Sequence, residues 1–200
     1  MIILGITGPI GSGKSYVADI ISKRGYPRID TDKVYHSLID SPSPTVDALT
    51  KEFGSIILSD IGGIDRKKLS EIVFSDKEKL KKLNAITHEN VINKTEELIE
   101  KYRKNGEKML LIEVPLMFES GFDKRCDFVV SVVADEDTRI DRICKRSGLS
   151  VDEAKKRIKN QKNNNFYIEN SSFTIYNSNN KDLNEEINSL FERIFKEQNV

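Results

Sequence analysis

Gly8-Pro9-Ile10-Gly11-Ser12-Gly13-Lys14-Ser15 has the spacing G-x-x-x-x-G-K-[ST] of a phosphate-binding loop. The run Ile2-Ile3-Leu4-Gly5-Ile6 ahead of it reads as a buried parallel strand. Behind it, Val17, Ile20 and Ile21 fall at helical spacing. Strand, loop and helix in this order suit a polyanion. Without β-carbons at Gly8, Gly11 and Gly13, successive N–H groups, that of Ser12 included, converge on phosphate oxygens. The helix opening at Lys14 adds its dipole to the same point. Lys14 supplies a flexible positive charge for β- and γ-phosphates, and the Ser15 hydroxyl suits a Mg²⁺ ion bridging them. The expected ligand is a nucleoside triphosphate.

Bulk composition narrows the class. Thirty-two basic side chains balance 32 acidic ones, so the net charge is zero and no whole-molecule field favours nucleic acid or an acidic membrane. Phosphate affinity is therefore expected to be local. Cys126 and Cys144 form no C-x-x-C pair, and with His36 and His88 they make no zinc pattern. Reduced thiols and a cytoplasmic location follow as expectations. The first apolar run is far shorter than a membrane span and flows directly into the loop, so neither anchor nor signal peptide is expected.

Five apolar runs read as strands, about 2–6, 27–29, 109–113, 128–133 and 173–176. Helical patterns separate them, which predicts βαβ crossovers and a parallel α/β sheet covered on both faces. The first helix is expected to stop at Gly25, with Pro27 beyond it. Leu183, Ile187, Leu190, Phe191, Ile194 and Phe195 share one face of the last helix. The stretch between the second and third strands is much longer than one crossover helix needs. Residues 34–104 therefore read as a helical acceptor-binding insertion, or as a purely structural excursion, within one domain spanning 1–200.

Residues 136–165 read as a pair of lid helices, the second opened by the capping box Ser150-Val151-Asp152-Glu153. Their basic residues include Arg139, Arg142, Lys145, Arg146, Lys155, Lys156 and Arg157; a solvated surface is expected for most of them, and one or two arginines are candidates to reach a triphosphate. The asparagine-rich stretches at 163–165 and 177–180 carry no separate functional signal. The Asn-Asn-Lys-Asp run at 179–182 misses the guanine-reading spacing by one residue, which disfavours a GTPase.

Asp30-Thr31-Asp32 follows the short second strand, where the carboxyl ends of strands in an open α/β sheet line a ligand crevice. A helix N-cap explains one of these carboxylates equally well. With this segment in view, the chain resembles the dephospho-coenzyme A kinases, P-loop enzymes related to nucleoside monophosphate kinases. The residues carrying the likeness are Thr7 to Ser15 and Asp30-Thr31-Asp32. They continue through Asp65-Arg66-Lys67-Lys68-Leu69 with Val73-Phe74, Leu83-Asn84-Ala85-Ile86-Thr87-His88 and Val114-Pro115-Leu116-Met117-Phe118-Glu119. Arg142, Arg146, Leu149-Ser150 and Gln161 complete the likeness. Tyr16, Glu89 and Glu113 depart from the family pattern, as does the stretch 166–172, which lacks the family's Lys and Ala-Asp pair.

The resemblance implies a three-layer P-loop kinase fold with strand order 2-3-1-4-5. It also implies transfer of the ATP γ-phosphoryl group to the ribose 3′-hydroxyl of dephospho-CoA, the last step of coenzyme A biosynthesis. By the same resemblance, Lys14, Asp32 and Arg142 are the candidate catalytic residues. The loop from Gly8 to Ser15, Tyr16 and Arg146 would hold ATP, and Asp32, His88, Leu116 and Glu119 the acceptor. Ser15 and Glu113 would serve Mg²⁺. For Glu113 a turn cap, for His88 a hydrogen-bonded position within the insertion, and for Glu119 a surface pair with Lys124 or Arg125 remain alternatives.

Overall fold

The computed structural model describes residues 1–73, 76–178 and 182–197. Phe74 and the run Asn179-Asn180-Lys181 lie outside them. The chain divides into two compact units, Met1–Ile29 with Tyr102–Val200, and Asp30–Lys101.

The first unit is built on a sheet. Strand β1 (Ile2–Thr7) leads through the loop into helix α1 (Lys14–Ser22), and the short β2 (Arg28–Asp30) follows. Gly25 has φ +97° and sits three residues beyond α1, which stops at Ser22. The order of the five strands is β2-β3-β1-β4-β5, where β3 is Met109–Glu113, β4 Phe128–Val133 and β5 Phe173–Tyr176. All the strands lie parallel, as their continuous apolar runs require: both faces are covered, so no polar alternation is needed. Every residue of β1 and β3 is buried.

Side chains of alternate residues take opposite faces of the sheet. Leu4, Ile6, Met109, Leu111, Val130, Val132 and Ile175 pack against Val17, Ala18 and Ile21 of α1 and against the apolar stripe of the C-terminal helix. On the other face, a β-carbon at Gly5 would stand 2.7 Å from both Cys126 Sγ and Met117 Cε. The sulfur side chains fill the space that this glycine leaves.

Helices in the second unit follow their local signals. Asp30 caps α2 (Thr31–Ile39), and Ser43 caps α3 (Pro44–Phe53), which has its proline in the first turn where a missing N–H costs nothing. Next come α4 (Arg66–Val73) and the long α5 (Lys77–Lys104). Ile39, Val46, Leu49, Ile57, Ile64, Leu69 and Val73 form this unit's own core.

After β4 the first unit resumes with α6 (Glu136–Ser147), α7 (Val151–Lys159) and α8 (Asn164–Glu169), and it closes with α9 (Leu183–Glu197). The capping box at Ser150 and Glu153 is formed with both reciprocal bonds. Ile140, Ile143, Ala154 and Ile158 knit α6 to α7, with Ile10 of the phosphate loop packed against them. Among the described residues, no helix is long and apolar enough to cross a membrane.

Candidate active site

The loop lies at the carboxyl end of β1, and strand register decides what stands beside it. Ile6 pairs with Glu113 and Thr7 with Ser131, so the ends of β3 and β4 flank the loop entrance. A β-carbon at Gly8 would lie 2.1 Å from the Val132 carbonyl oxygen, which requires glycine there. Gly13 caps α1 in the left-handed region, φ 87° and ψ 30°. The Lys14 ammonium donates to the carbonyls of Gly8, at 2.8 Å, and Pro9, at 3.3 Å, holding it against the loop.

Ser15 Oγ donates to Glu113 Oε1 at 2.7 Å. Glu113 is buried and its other oxygen is paired with Arg28, which also pairs with exposed Asp19. Breaking a buried ion pair by deleting one partner typically costs about 3–5 kcal/mol, so this pair anchors β2 and α1 to the end of β3. Ser15 hydroxyl and Glu113 carboxylate are hard oxygen groups of the kind that Mg²⁺ takes directly or through its waters. Among the described residues no group of three or more His, Cys, Asp or Glu side chains could hold a metal.

The segment after β4 holds the same loop. Gln161 Oε1 accepts from the Ile10 N–H at 2.7 Å, and Arg139 Nε donates to the Ile10 carbonyl at 2.9 Å. Both polar groups of one loop residue are thus satisfied by side chains distant in sequence. Arg139 departs from the solvated-surface expectation: it is 3 % exposed, and burial pulls its guanidinium below the ordinary arginine value, with Glu136 opposing. Its position beneath the loop explains the burial. Asn164 accepts from it at 3.4 Å and donates to the Ala134 carbonyl at 3.0 Å.

Arg142 reaches the loop as well. Its Nη1 donates to the carbonyls of Ser12, at 3.2 Å, and Gly11, at 3.5 Å, and its Nη2 to Asn177 Oδ1 at 3.4 Å. Arg146, one turn further along α6, is exposed, as is Tyr16. Asn177 and Asn164 lie in asparagine-rich stretches that carry no separate functional signal; their contacts lie across the fold, where no local signal reports them.

Leu116 and Glu119 are exposed on the segment between β3 and β4. Phe118 of that segment meets Phe166 of α8 edge-on, ring centroids 5.5 Å apart, and Tyr167 at 6.1 Å. Two residues of the stretch 166–172, Phe166 and Tyr167, are thus used for aromatic packing. Burial pushes the Tyr167 hydroxyl up to about 12, with Glu119 adding to the effect.

Asp32 and His88 belong to the second unit. Asp30 Oδ1 accepts from the N–H groups of Asp32, at 3.0 Å, and Lys33, at 3.3 Å, so the capping task falls to Asp30. Asp32 is exposed in the first turn of α2, and His88 is half-buried on α5. The sequence pattern had left open which carboxylate capped the helix.

Known proteins resemble this chain in sequence and fold. The family model described as dephospho-CoA kinase matches residues 2–182. A dephospho-CoA kinase from Fusobacterium nucleatum is 40% identical over 195 residues, covering 97% of this chain and 99% of that protein. A solved structure from Thermus thermophilus superposes with a TM-score of 0.81 at 30% identity, over 96% of this chain and 97% of that one. The dephospho-CoA kinase from Campylobacter jejuni gives 0.72 at 28% identity, over 98% of both chains.

Proposed function

The chain belongs to the dephospho-CoA kinase family, and from that premise we propose how its residues divide the family's reaction. The reaction moves the γ-phosphoryl group of ATP to the ribose 3′-hydroxyl of dephospho-CoA, giving CoA and ADP. One observation carries the assignment: the loop amides, Lys14, the Ser15–Glu113 pair and Arg142 form one connected set of groups suited to a triphosphate.

Phosphoryl transfer has a loose transition state, so positioning and charge stabilisation carry most of the barrier reduction. Loop N–H groups from Gly8 to Ser15 hold the β-phosphate region, and Lys14 neutralises charge on the β- and γ-phosphates. Arg142 offers a planar fork to the oxygens of the transferring group. Ser15 and, through water, Glu113 would hold Mg²⁺, which when bound offsets charge on the phosphates. Arg146 and Tyr16 contact the nucleotide from the lid helices 136–165 and from α1.

Asp32 takes the acceptor 3′-hydroxyl, orienting it and accepting its proton as the bond to phosphorus forms; such assistance is typically worth about 10²- to 10⁴-fold. The helical region 34–104 binds the acceptor, with His88 as one of its contacts. Leu116 contributes apolar surface and Glu119 a hydrogen-bond acceptor to the same substrate. A cytoplasmic location fits a chain whose described helices include none able to span a membrane and whose cysteines are free.

The test is ADP release across a panel of acceptors: dephospho-CoA, a nucleoside monophosphate and shikimate. Turnover is expected only with dephospho-CoA and a divalent cation, the product carrying phosphate at the 3′ position. Acceptor-independent ATP hydrolysis, or preference for another acceptor, refutes the assignment.

A further inference from the structure

Asn177 stands one residue beyond β5, and its backbone N–H donates to the Val133 carbonyl at 2.8 Å, extending the sheet ladder past the strand. The residue is 5 % exposed. From that anchored position Nδ2 donates to the Ser12 carbonyl at 2.8 Å, while Oδ1 accepts from Arg142 at 3.4 Å. The Ser12 carbonyl also accepts from Arg142 at 3.2 Å, closing a triangle of amide, loop carbonyl and guanidinium. We propose that Asn177 is a positioning residue for the phosphoryl transfer: it sets Arg142 against the phosphate loop without neutralising it.

The charge of its partners decides how firmly an arginine is held. Arg28, in the same unit, is held by the carboxylates of Asp19 and Glu113, so its charge is already matched. Among the described residues, the acceptors holding Arg142 are all neutral: two backbone carbonyls and one amide. Their distances, 3.2 to 3.5 Å, lie at or beyond the long end of ordinary N–H···O bonds. Such bonds place the guanidinium without competing strongly for it, because a phosphoryl oxygen makes a shorter, charge-assisted bond. A carboxylate at the same spot would hold the arginine as an ion pair.

Side-chain chemistry at this position is also restrictive. The site needs a donor toward Ser12 and an acceptor toward Arg142 on one short planar group, which a primary amide provides and an aspartate does not. Gly13 leaves the room: a β-carbon there would lie 2.2 Å from Asn177 Nδ2 and 3.5 Å from Arg142 Nη1. The glycine preceding Lys14 therefore admits the positioning amide as well as the loop's backbone turn.

This inference rests on the role of Arg142 in the proposed function, and the experiment separates the two. The wild type, Arg142→Ala, Asn177→Ala and the double variant are compared for kcat, for KM of ATP and dephospho-CoA, and for Tm. Arg142→Ala is expected to lower kcat by roughly 10²-fold or more. Asn177→Ala is expected to lower kcat by about 10-fold with KM for ATP nearly unchanged. In the Arg142→Ala background, the same change is expected to cost less than about twofold, because residues acting on one another are non-additive. Asn177→Asp keeps the shape and carries the cycle if the alanine variant does not fold. It is expected to lose at least as much kcat, because its carboxylate retains the arginine. Wild-type kcat in Arg142→Ala overturns both the role of Arg142 and this inference. An impaired Arg142→Ala with an equal, additive Asn177 effect in both backgrounds overturns the inference alone. So does a loss confined to KM for ATP, or full kcat in Asn177→Asp.

Discussion

Replacing Gly13 by alanine separates the two demands that the loop makes on this residue. The backbone at Gly13 has φ 87° and ψ 30°, a left-handed conformation that costs an L-residue roughly 1–2 kcal/mol. Gly148, which ends α6 at φ 64° and ψ 20°, shares that conformation, but a β-carbon there meets nothing within 4 Å. Gly148→Ala therefore reports the conformational cost alone, including the offsetting loss of chain entropy in the unfolded state, which is common to both changes. Gly13→Ala adds a steric demand, because the new carbon would lie 2.2 Å from Asn177 Nδ2. The Asn177 backbone is tied to Val133, so the side chain must rotate away and give up its bond to the Ser12 carbonyl. Leaving a buried polar group unsatisfied costs about 1–3 kcal/mol. At about 2–4 °C per kcal/mol for a chain of this size, Gly13→Ala should melt about 2–12 °C below Gly148→Ala. Thermal unfolding of both nucleotide-free variants measures this difference directly. Equal melting temperatures would refute the claim that Gly13 makes room for the amide.

Lys14→Ala should reduce kcat by about 10²- to 10³-fold, the typical cost of removing one electrostatic contact to a transition state, with Tm unchanged; near-normal turnover in steady-state assays contradicts its assignment. Asp32→Asn should lower kcat by about 10²-fold or more while KM for ATP stays within about threefold, and an unaltered kcat leaves Asp32 without a chemical role. Burial, reinforced by Asp123 and Asp127, pushes the Cys126 thiol from 9.0 up to about 12, so native protein at pH 8 should be alkylated there about a thousandfold more slowly than unfolded protein. Because the folded value is the higher one, the linked stability is intact below pH 9 and falls as pH rises toward 12, which alkaline unfolding of the wild type against Cys126→Ala would measure.

How far local sequence reaches is visible strand by strand. The expected β3, β4 and β5 coincide with the observed ones, and β1 and β2 differ by a residue at their ends. Buried parallel strands need unbroken apolar runs, and an apolar run bounded by turn residues is a short-range signal. The same holds for the Ser150 capping box, whose partners are three residues apart. By contrast, α8 is only six residues long, from Asn164 to Glu169, too short for a periodic pattern to register.

The sequence alone determined the phosphate loop, its flanking strand and helix, and the lysine and serine that it presents, because every spacing in that motif is local. Strand order came from family resemblance and register from the folded sheet. What surrounds the loop is set by long-range packing. Arg28 holds Glu113 across 85 residues, Arg139 reaches Ile10 across 129, and Asn177 reaches Ser12 across 165. In one dimension these residues were an ordinary arginine after a proline, one charge among many on a polar helix, and one asparagine in a run of several. Their roles arise from desolvation: once the sheet closes and the helices pack over the loop, each buried carbonyl and carboxylate requires a partner, and topology alone determines which side chain is in reach.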